Sequence, residues 1–289
     1  MPWGVTVAST FQTDHADGFI VRRRLLVSGL ALLGFLAVSA SYMIFRAVGR
    51  ELAVARLQSD FVAAVSHEFR TPLTALRQFT DILREQPQMN AERRQVCYDA
   101  QSRATDRLMR LVESLLDFGR MEAGARRYDF QLCDSTALLR HIVDDFRKEA
   151  RNAGYEIEFQ GNESAQIETD TKALSRAVWN LLDNAVKYSP NHHRVEVGVK
   201  RDKEHVRIAV RDHGIGIPPH ERATIFSKFQ RGSQARTRGI KGTGIGLAMV
   251  NEIVTAHHGR VELETEPDRG STFTIILPAK DHHGANPHC

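Results

Sequence analysis

A run of 21 residues without a charged side chain, Leu25 to Phe45, constrains the fold of this chain more than any other feature. A helix of that length, at 1.5 Å per residue, spans about 30 Å, the hydrocarbon thickness of a bilayer. Arg22, Arg23 and Arg24 precede the run, so a cleaved signal peptide is the alternative. The run is long for a signal peptide, and no small-residue cleavage site stands before Arg46. The sequence therefore predicts a membrane-spanning helix at 25–45.

Apolar residues recur every three or four positions from about 57 to 83 and again from about 91 to 122. This period indicates two helices that each bury one face. A polar segment with a proline, 86–90, separates them, and Gly124 is a plausible stop for the second helix. Two long helices with a short connection form an antiparallel hairpin. Because a lone hairpin cannot bury both apolar faces, we expect two copies to close a four-helix bundle. A monomeric hairpin packed on its own C-terminal domain is the alternative.

The first of these helices carries His67, with Glu68 directly after it and Thr71 four positions on. His67 and Thr71 share a helix face, whereas Glu68 is turned about 100° away. Glu68 is still close enough to accept a proton from the imidazole, and a neutral imidazole nitrogen is a good nucleophile. Pro72 removes a backbone donor and is expected to bend or loosen the helix. The alternative is an ordinary surface histidine on an amphipathic helix.

From Tyr128 onward the pattern alternates between strand and helix. Such a mixture predicts an α+β sandwich with helices on one face of a sheet. We expect strands at about 128–133, 155–160, 165–169, 195–200, 206–211, 260–265 and 271–277. We expect helices at about 135–153, 171–187 and 245–258.

Composition and charge narrow the classes of function. The net charge of +4 is mild, and the only basic run is Arg22 to Arg24, so we expect no direct binding of nucleic acid. The three cysteines, Cys97, Cys133 and Cys289, are far apart and have no metal-site spacing. They fit a reducing compartment and a packing or surface role.

Asn180, Asn184 and Lys187 form one stripe of a predicted helix, at positions i, i+4 and i+7. Amide oxygens are neutral hard ligands that suit Mg²⁺ and leave its other positions to phosphate and water. Lys187 would offset phosphate charge. The alternative is the solvated face of an ordinary helix.

Two glycine-rich strings accompany predicted elements. Asp212-His213-Gly214-Ile215-Gly216 follows a strand; its acid could accept a hydrogen bond from an exocyclic amine such as adenine N6, and its glycines permit a tight turn close to a ring. Gly242-Thr243-Gly244-Ile245-Gly246-Leu247 opens a helix, where backbone N–H groups attract phosphate. The second string is neither the P-loop pattern nor the dinucleotide fingerprint.

Between the two strings lies a polar segment, 218–241, whose aromatic residues are Phe226 and Phe229. Such a segment is typical of a mobile lid with an aromatic latch. Arg231, Arg238 and Lys241 could reach phosphates from it. The alternative is a surface loop with both phenylalanines in the core.

Together these strings resemble sensor histidine kinases of two-component systems. Asn184, Asp212-x-Gly-x-Gly, Phe226-x-x-Phe229 and Gly242-x-Gly-x-Gly are similar, in order, to the N, G1, F and G2 boxes of their ATP-binding domain. The string 61–73 around His67 resembles their phospho-acceptor box. The resemblance covers about residues 50–280. It implies a helical hairpin that dimerises into a four-helix bundle, followed by a Bergerat-type α/β sandwich that binds ATP.

The resemblance also implies the role of each site residue. His67 would attack the γ-phosphate of ATP with Glu68 as general base, and Thr71 would orient water for dephosphorylation of a partner aspartate. Asn184 would hold Mg²⁺, Tyr188 would line the adenine, and Asp212 would accept from its N6. The residues expected to bind ATP and Mg²⁺ are Asn180, Asn184, Lys187, Tyr188, Asp212, Gly214, Gly216, Phe229, Arg231, Lys241, Gly242, Thr243, Gly244, Gly246 and Leu247.

The expected partner is the receiver domain of a separate response regulator, because this chain contains no receiver-like segment. Two alternatives remain: a conformational ATPase, as in related chaperones and topoisomerases, and a nucleotide-binding membrane scaffold without kinase turnover. A stable acid-labile phosphoenzyme would distinguish the kinase from both.

The expected location is the inner (plasma) membrane, with the catalytic domains in the cytoplasm. Arginines flank the apolar run equally, so orientation follows from the need for cytosolic ATP. No sensor or signalling linker domain precedes residue 46, so we expect a truncated or misassigned start, or a stimulus from the membrane or a partner. The expected domains are a short segment at 1–24, the membrane helix at 25–45, a helical linker at 46–57, a dimerisation and phosphotransfer domain at 58–124, an ATP-binding domain at 128–280 and a disordered tail at 281–289.

Overall fold

A computed structural model describes residues 4, 14–152, 154–161, 163–240 and 242–280 of the chain. The predicted tail at 281–289, Lys241 and most of the segment before residue 14 lie outside these described residues. The chain divides into two compact units, residues 1–57 and residues 58–289, and each is described by itself.

Helix α1 (Asp14–Glu85) begins in the first unit and carries the apolar run. The side chains of this run are exposed; those of Phe35 and Phe45 are 69% and 79% accessible. Among the described residues one helix is long and apolar enough to cross a membrane, with a mean hydropathy of 1.9 over its best stretch and none of that stretch buried. A core helix of a soluble protein would bury such side chains, whereas those of this stretch are exposed.

The second unit starts with the helical hairpin, formed by the end of α1 and by α2 (Ala91–Glu122). The connection between them is short, and its last residue, Asn90, caps α2 by accepting a 2.9 Å hydrogen bond from the N–H of Arg93. The two helices are joined side by side, for example by a 2.8 Å hydrogen bond from Nε2 of Gln101 to Oγ1 of Thr80. Pro72 lies inside α1, which continues to Glu85, so the proline does not end the helix. A proline removes a single backbone donor, and the helix on either side tolerates the loss.

The rest of the second unit mixes strands and helices, which confirms the predicted α+β class. Its elements are β1 (Gln131–Asp134), α3 (Ser135–Asn152), β2 (Glu156–Gln160), β3 (Gln166–Thr169), α4 (Thr171–Tyr188), β4 (Arg194–Arg201), β5 (His205–Asp212), α5 (Ser233–Thr237), α6 (Gly246–Ala256), β6 (Arg260–Glu266) and β7 (Gly270–Pro278). A short 3₁₀ helix, Pro219–Glu221, stands between β5 and α5.

The main sheet has the order β2-β4-β5-β7-β6, with β2 and β4 parallel and every other pair antiparallel. Strands β1 and β3 form a separate antiparallel pair. Burial alternates along β4 and β5, so one sheet face is covered. The core that covers it comes from α3, α4 and α6 and includes Leu139, Leu174, Leu181, Leu182, Met249 and Ile253. This layer fixes α4, and with it one wall of the site.

The first strand and the lid depart from the sequence prediction. β1 begins at Gln131 and not at Tyr128, because Tyr128 and Phe130 pack their rings against His257 at centroid distances of 5.4 and 4.9 Å. The segment expected as an irregular lid contains both the 3₁₀ helix and α5. The predicted helix at 245–258 ends at Ala256, since His258 has a positive φ of 57°.

Candidate functional site

A cavity opens between α4, the ends of β5 and β7, and the lid. It has about 630 Å³ of empty volume, part of it open to solvent, and it is lined mainly by apolar and small residues with a few polar groups. The polar members include Asn184, Tyr188, Asp212 and Arg231, and Gly216 and Leu247 also line it. A flat apolar ring with a polar edge fits a pocket of this kind.

Asp212 is the last residue of β5 and is buried at the base of this cavity. Its Oδ1 accepts hydrogen bonds from the backbone N–H of Gly214 at 2.8 Å, the N–H of Ser271 at 3.2 Å and the hydroxyl of Ser189 at 3.5 Å. Burial raises the pKa of the carboxyl, while these donors oppose the rise. Among the described residues every hydrogen bond to this carboxylate ends on Oδ1, so Oδ2 is left for a ligand donor.

The turn after Asp212 packs closely against its surroundings. Gly216 has a φ of +65°, and a Cβ there would collide with the carbonyl of Glu266. A Cβ at Gly214 would meet the carbonyl of Tyr188 in the same way. Both glycines are therefore required for the close approach of this turn to its neighbours, as the sequence predicted for a tight turn.

Tyr188 closes the helix side of the cavity. It is the last residue of α4, and burial raises the pKa of its phenol. Its backbone carbonyl accepts a 3.1 Å hydrogen bond from the N–H of Ile215, which ties α4 to the turn. Tyr188 and Asp212 therefore line the same cavity from adjoining elements.

A larger cleft continues from this cavity toward the hairpin. Asn180, Asn184 and Lys187 line it from α4 as the predicted stripe, and the glycine string Gly242–Gly246 lines it from the opposite side. A Cβ at Gly246 would lie 3.9 Å from Oδ1 of Asn180, and one at Gly242 would lie 3.0 Å from Nζ of Lys187. The loop thus approaches the stripe with no side chain between them.

The donor set of this cleft fits a triphosphate and its magnesium ion. Amide oxygens, a lysine ammonium and backbone N–H groups at the start of α6 are groups that hold Mg²⁺ and phosphate. No cluster of three or more His, Cys, Asp or Glu side chains suited to a metal occurs among the described residues.

The acceptor box reaches the same cleft from the hairpin. Glu68 lines it, together with Arg107, Arg110, Leu111 and Ser114 of α2. His67 is half-buried and its Nδ1 is enclosed. Thr71 is exposed one turn further on, and its hydroxyl donates to the carbonyl of His67 at 3.4 Å. The structure therefore brings the residue after the histidine to the cleft that the asparagines line.

The second phenylalanine of the lid, Phe229, packs against the hairpin. The ring of Phe229 lies 4.8 Å from that of Phe61 on α1 and 5.5 Å from that of Phe118 on α2. Phe226 instead lies near Phe273 of the sheet, at 6.3 Å. The aromatic latch of the sequence prediction is thus divided: one ring contacts the sheet, and the other contacts the hairpin.

The lid cations are placed differently from the expectation. Arg231 lines the Asp212 cavity, and its Nη2 donates to the carbonyl of Ile240. Arg238 pairs with Asp268 at 2.8 Å on the exposed surface, so its predicted reach toward phosphate is not seen. Lys241 lies outside the described residues.

Sequence reasoning missed the hairpin side of the cleft. Arg107 pairs with Glu68 at 3.0 Å, and Arg110 pairs with Glu149 of α3 at 2.7 Å. The i, i+3, i+4, i+7 spacing of Arg107, Arg110, Leu111 and Ser114 shows that these residues share a face, but nothing in the sequence shows that this face meets the ATP-binding domain.

Comparison with known proteins gives two matching domain families. The His Kinase A (phospho-acceptor) domain matches residues 57–124. The family described as histidine kinase-, DNA gyrase B-, and HSP90-like ATPase matches residues 169–281. Each of the four boxes and the acceptor histidine lies inside one of these two matches.

Curated relatives are similar over most of this chain. The alginate biosynthesis sensor protein KinB of Pseudomonas aeruginosa is 32% identical over 239 residues, which cover 82% of this chain and 39% of that protein. The sensor histidine kinase WalK of Bacillus subtilis is 32% identical over 224 residues, which cover 77% and 37%. The chain thus spans about two fifths of the length of these relatives.

Solved structures agree in fold. Full-length ShkA in complex with AMPPNP has a TM-score of 0.54 and 28% identity, covering 77% of this chain and 46% of that one. The Acinetobacter baumannii histidine kinase AdeS has a TM-score of 0.50 and 22% identity, covering 74% and 98%. The second likeness bears on the fold alone.

Proposed function

Because this chain belongs to the sensor histidine kinases of two-component systems, we propose that it autophosphorylates His67 with Mg-ATP and transfers the phosphoryl group to an aspartate of a separate response regulator. The proposal places the protein in the inner (plasma) membrane as a homodimer, with its catalytic domains in the cytoplasm. Dephosphorylation of the regulator, supported by Thr71, is the second activity proposed for the same hairpin.

One observation carries the proposal: Glu68 of the acceptor box lines the same cleft as the residues proposed to bind the nucleotide. Glu68 lies on it beside Asn180, Asn184 and Lys187, with the Gly242–Gly246 loop opposite. Phosphoryl transfer depends on positioning and on neutralising charge more than on covalent chemistry by the protein. A single cleft lined by both groups of residues would support both the positioning and the charge neutralisation.

At the nucleotide end of the cleft, the residues would bind the nucleotide and orient its phosphates. Oδ2 of Asp212 would accept from the adenine amine, with Tyr188 against the ring. Lys187 would offset phosphate charge, and Asn184 would hold Mg²⁺ with Asn180 beside it. Bound Mg²⁺ would neutralise charge on the phosphates. The residues of the glycine loop proposed to cover the phosphates are Gly242, Thr243, Gly244 and Gly246, followed by Leu247 at the start of α6.

At the hairpin end, His67 is the nucleophile. Because its Nδ1 is enclosed, Nε2 is the nitrogen proposed to attack the γ-phosphorus. A bond forms between Nε2 and phosphorus, the bond to the β–γ bridging oxygen breaks, and ADP leaves with that electron pair. The imidazole proton on Nδ1 then passes to the carboxylate of Glu68.

Exposed apolar side chains support the proposed dimer and the proposed membrane anchor. Large apolar side chains of the hairpin are exposed in the single chain, among them Val62, Leu73, Val96, Met109 and Leu116. A second hairpin would cover such a surface in a four-helix bundle. The exposed apolar run of α1 would be covered by lipid.

Labelling of the detergent-solubilised full chain with γ-labelled ATP and Mg²⁺ tests the proposal. The wild type should acquire an acid-labile, base-stable label, and His67→Gln and Asn184→Ala should acquire none. Label that survives in His67→Gln would move the acceptor elsewhere. Nucleotide binding without any label would favour the alternative, a nucleotide-binding signalling scaffold without kinase turnover.

A further inference from the structure

Helix α2 presents two arginines to the cleft, and they are engaged differently. Arg110 is held by the ATP-binding domain: its Nη2 contacts both carboxylate oxygens of Glu149, at 2.8 and 2.7 Å, and its guanidinium lies 5.2 Å from the ring centre of Trp179. Arg107, one turn earlier, contacts Glu68 of α1 instead, at 3.0 Å. Arg107 is therefore the arginine that meets the acceptor box.

The contact between Arg107 and Glu68 restrains the carboxylate without using all of it. Nη2 of Arg107 donates to Oε2 of Glu68, while Oε1 of Glu68 is free of this contact. An ionised carboxylate has about four acceptor sites, so one donor leaves the group able to accept a proton. Without the contact from Arg107, the side chain of Glu68 would exchange among several rotamers.

Exposure argues against a purely structural role for this pair. The Glu68 side chain is 13% accessible, but the Arg107 side chain is 55% accessible. Ion pairs with one well-solvated partner contribute little to stability, because water screens them and the long side chains lose entropy. Their geometric effect on a reacting carboxylate does not depend on that stability.

We propose that Arg107 is a positioning residue that holds the carboxylate of Glu68 where it accepts the proton of His67. The inference rests on the proposed kinase function and adds one residue to it. In this role Arg107 acts through its contact with Glu68 and not as a ligand of the nucleotide. Its loss should therefore lower the maximal rate of His67 phosphorylation and leave the KM for ATP unchanged.

The matched control is Arg103 on the same helix. It stands one turn before Arg107 on the same face, is exposed and does not line the cleft. Arg103→Gln thus removes the same charge from the same face at a greater distance from the site.

Initial rates of His67 labelling in the solubilised full chain test the inference. Arg107→Gln should lower the maximal rate about tenfold, less than the roughly 10²–10⁴-fold that general-base catalysis supplies because Glu68 itself remains, with an unchanged KM. Arg107→Lys should recover at least half of the lost rate, and Arg103→Gln should match the wild type. In a Glu68→Gln background, Arg107→Gln should cost less than about twofold, because its target is already gone.

Four results would each overturn the inference. Equal rates for Arg107→Gln and Arg103→Gln would remove any role for Arg107. An undiminished tenfold loss in the Glu68→Gln background, or a raised KM for ATP, would place Arg107 on the nucleotide. Arg107→Lys no better than Arg107→Gln would show that the cation is not what orients Glu68. Failure of the proposed function is distinct, because the wild type itself would then bind ATP without labelling His67.

Discussion

Oδ1 of Asp212 accepts a 2.8 Å hydrogen bond from the backbone N–H of Gly214, and the donors from Ser271 and Ser189 end on the same oxygen. One carboxylate oxygen thus organises the turn, while the other is the one proposed to accept from the adenine amine. This division separates the structural role of Asp212 from its proposed binding role, so a single substitution tests one without the other.

Asp212→Asn should invert the choice of purine. The amide oxygen would keep the three protein donors, and the amide NH₂ would replace Oδ2 in the cavity. That group repels the adenine amine and suits the 6-oxo group of inosine or guanine nucleotides. We expect ATP affinity to fall at least about tenfold and ITP affinity to rise relative to ATP, measured by calorimetry.

Asp202→Asn is the control, since Asp202 accepts backbone hydrogen bonds from Glu204 and His205 in the exposed β4–β5 turn, away from the cavity. Unchanged preference for ATP in Asp212→Asn would refute the assignment of Oδ2 to the adenine.

The buried imidazole of His257 should make the stability of the ATP-binding domain depend on pH. Its Nδ1–H donates to the carbonyl of Ile253 at 2.7 Å, and its Nε2 accepts from the N–H of Asp170 at 3.0 Å. Burial lowers the pKa of His257; the Ile253 carbonyl and the Asp170 carboxylate oppose this, while the charges of Arg126 and His258 add to it. The neutral ring therefore stabilises the fold fully above about pH 6.5, and this stabilisation is lost as pH falls toward the lowered pKa.

Unfolding in urea at pH 7.5 and pH 5.5, followed by Trp179 fluorescence in a Trp3→Phe background, measures this dependence. The loss of free energy on acidification should shrink in His257→Gln, which cannot be protonated, by at most about 1 kcal/mol, the limit set by one pH unit below the ordinary histidine pKa. His192→Gln serves as the control, because His192 is exposed in the connection between α4 and β4 and is not among the groups that shift the pKa of His257. An equal pH dependence in wild type and His257→Gln would assign the effect to other groups.

Arg176 on α4 pairs with the buried Asp117 of α2 and also lies 3.7 Å from Glu113. Arg176→Gln would leave the Asp117 carboxylate with only the weaker contacts of Arg120 and Arg126, both at 3.9 Å. Losing one partner of a buried pair is costly, but Arg176 is partly exposed, so we expect a loss of about 1–3 kcal/mol in the free energy of unfolding.

Denaturant unfolding checks this value, with Arg269→Gln as the control. Arg269 pairs with Glu266 on the exposed β6–β7 turn, where loss should stay below about 0.5 kcal/mol. Equal effects of the two substitutions would show that the Asp117 pair is no more than a surface contact.

Substitution of Gly244 by alanine should be unfavourable for a reason other than its positive φ alone. It has a φ of +73°, and a Cβ would lie 2.8 Å from the backbone carbon of Phe229 in the lid. Gly239 has a similar φ of +67° but open space around the same position. Both alanine variants carry the same left-handed cost of about 1 kcal/mol, so their difference isolates the contact. We expect Gly244→Ala, and not Gly239→Ala, to weaken ATP binding several-fold; equal affinities would contradict the proposed fit of loop to lid.

The local signals in the sequence predicted most of the elements but not their contacts. Periodicity placed the hairpin and α4 to within a few residues, because helix period and capping are properties of neighbouring residues. The start of β1 was wrong because the packing of Tyr128 and Phe130 on His257 joins positions more than a hundred residues apart. The short helix α5 was not predicted, because five residues are too few to show a helical period.

The sequence by itself determined the α+β class, the apolar run and the strings that carry the site, since each depends on spacing along the chain. Tertiary structure alone decided that Glu68 meets Arg107, that Phe229 packs on Phe61 and Phe118, and that Arg238 turns to Asp268. These pairings depend on how elements that are far apart in the chain pack against one another. Spacing cannot encode that meeting, because it is set by packing and charge between residues far apart in the chain.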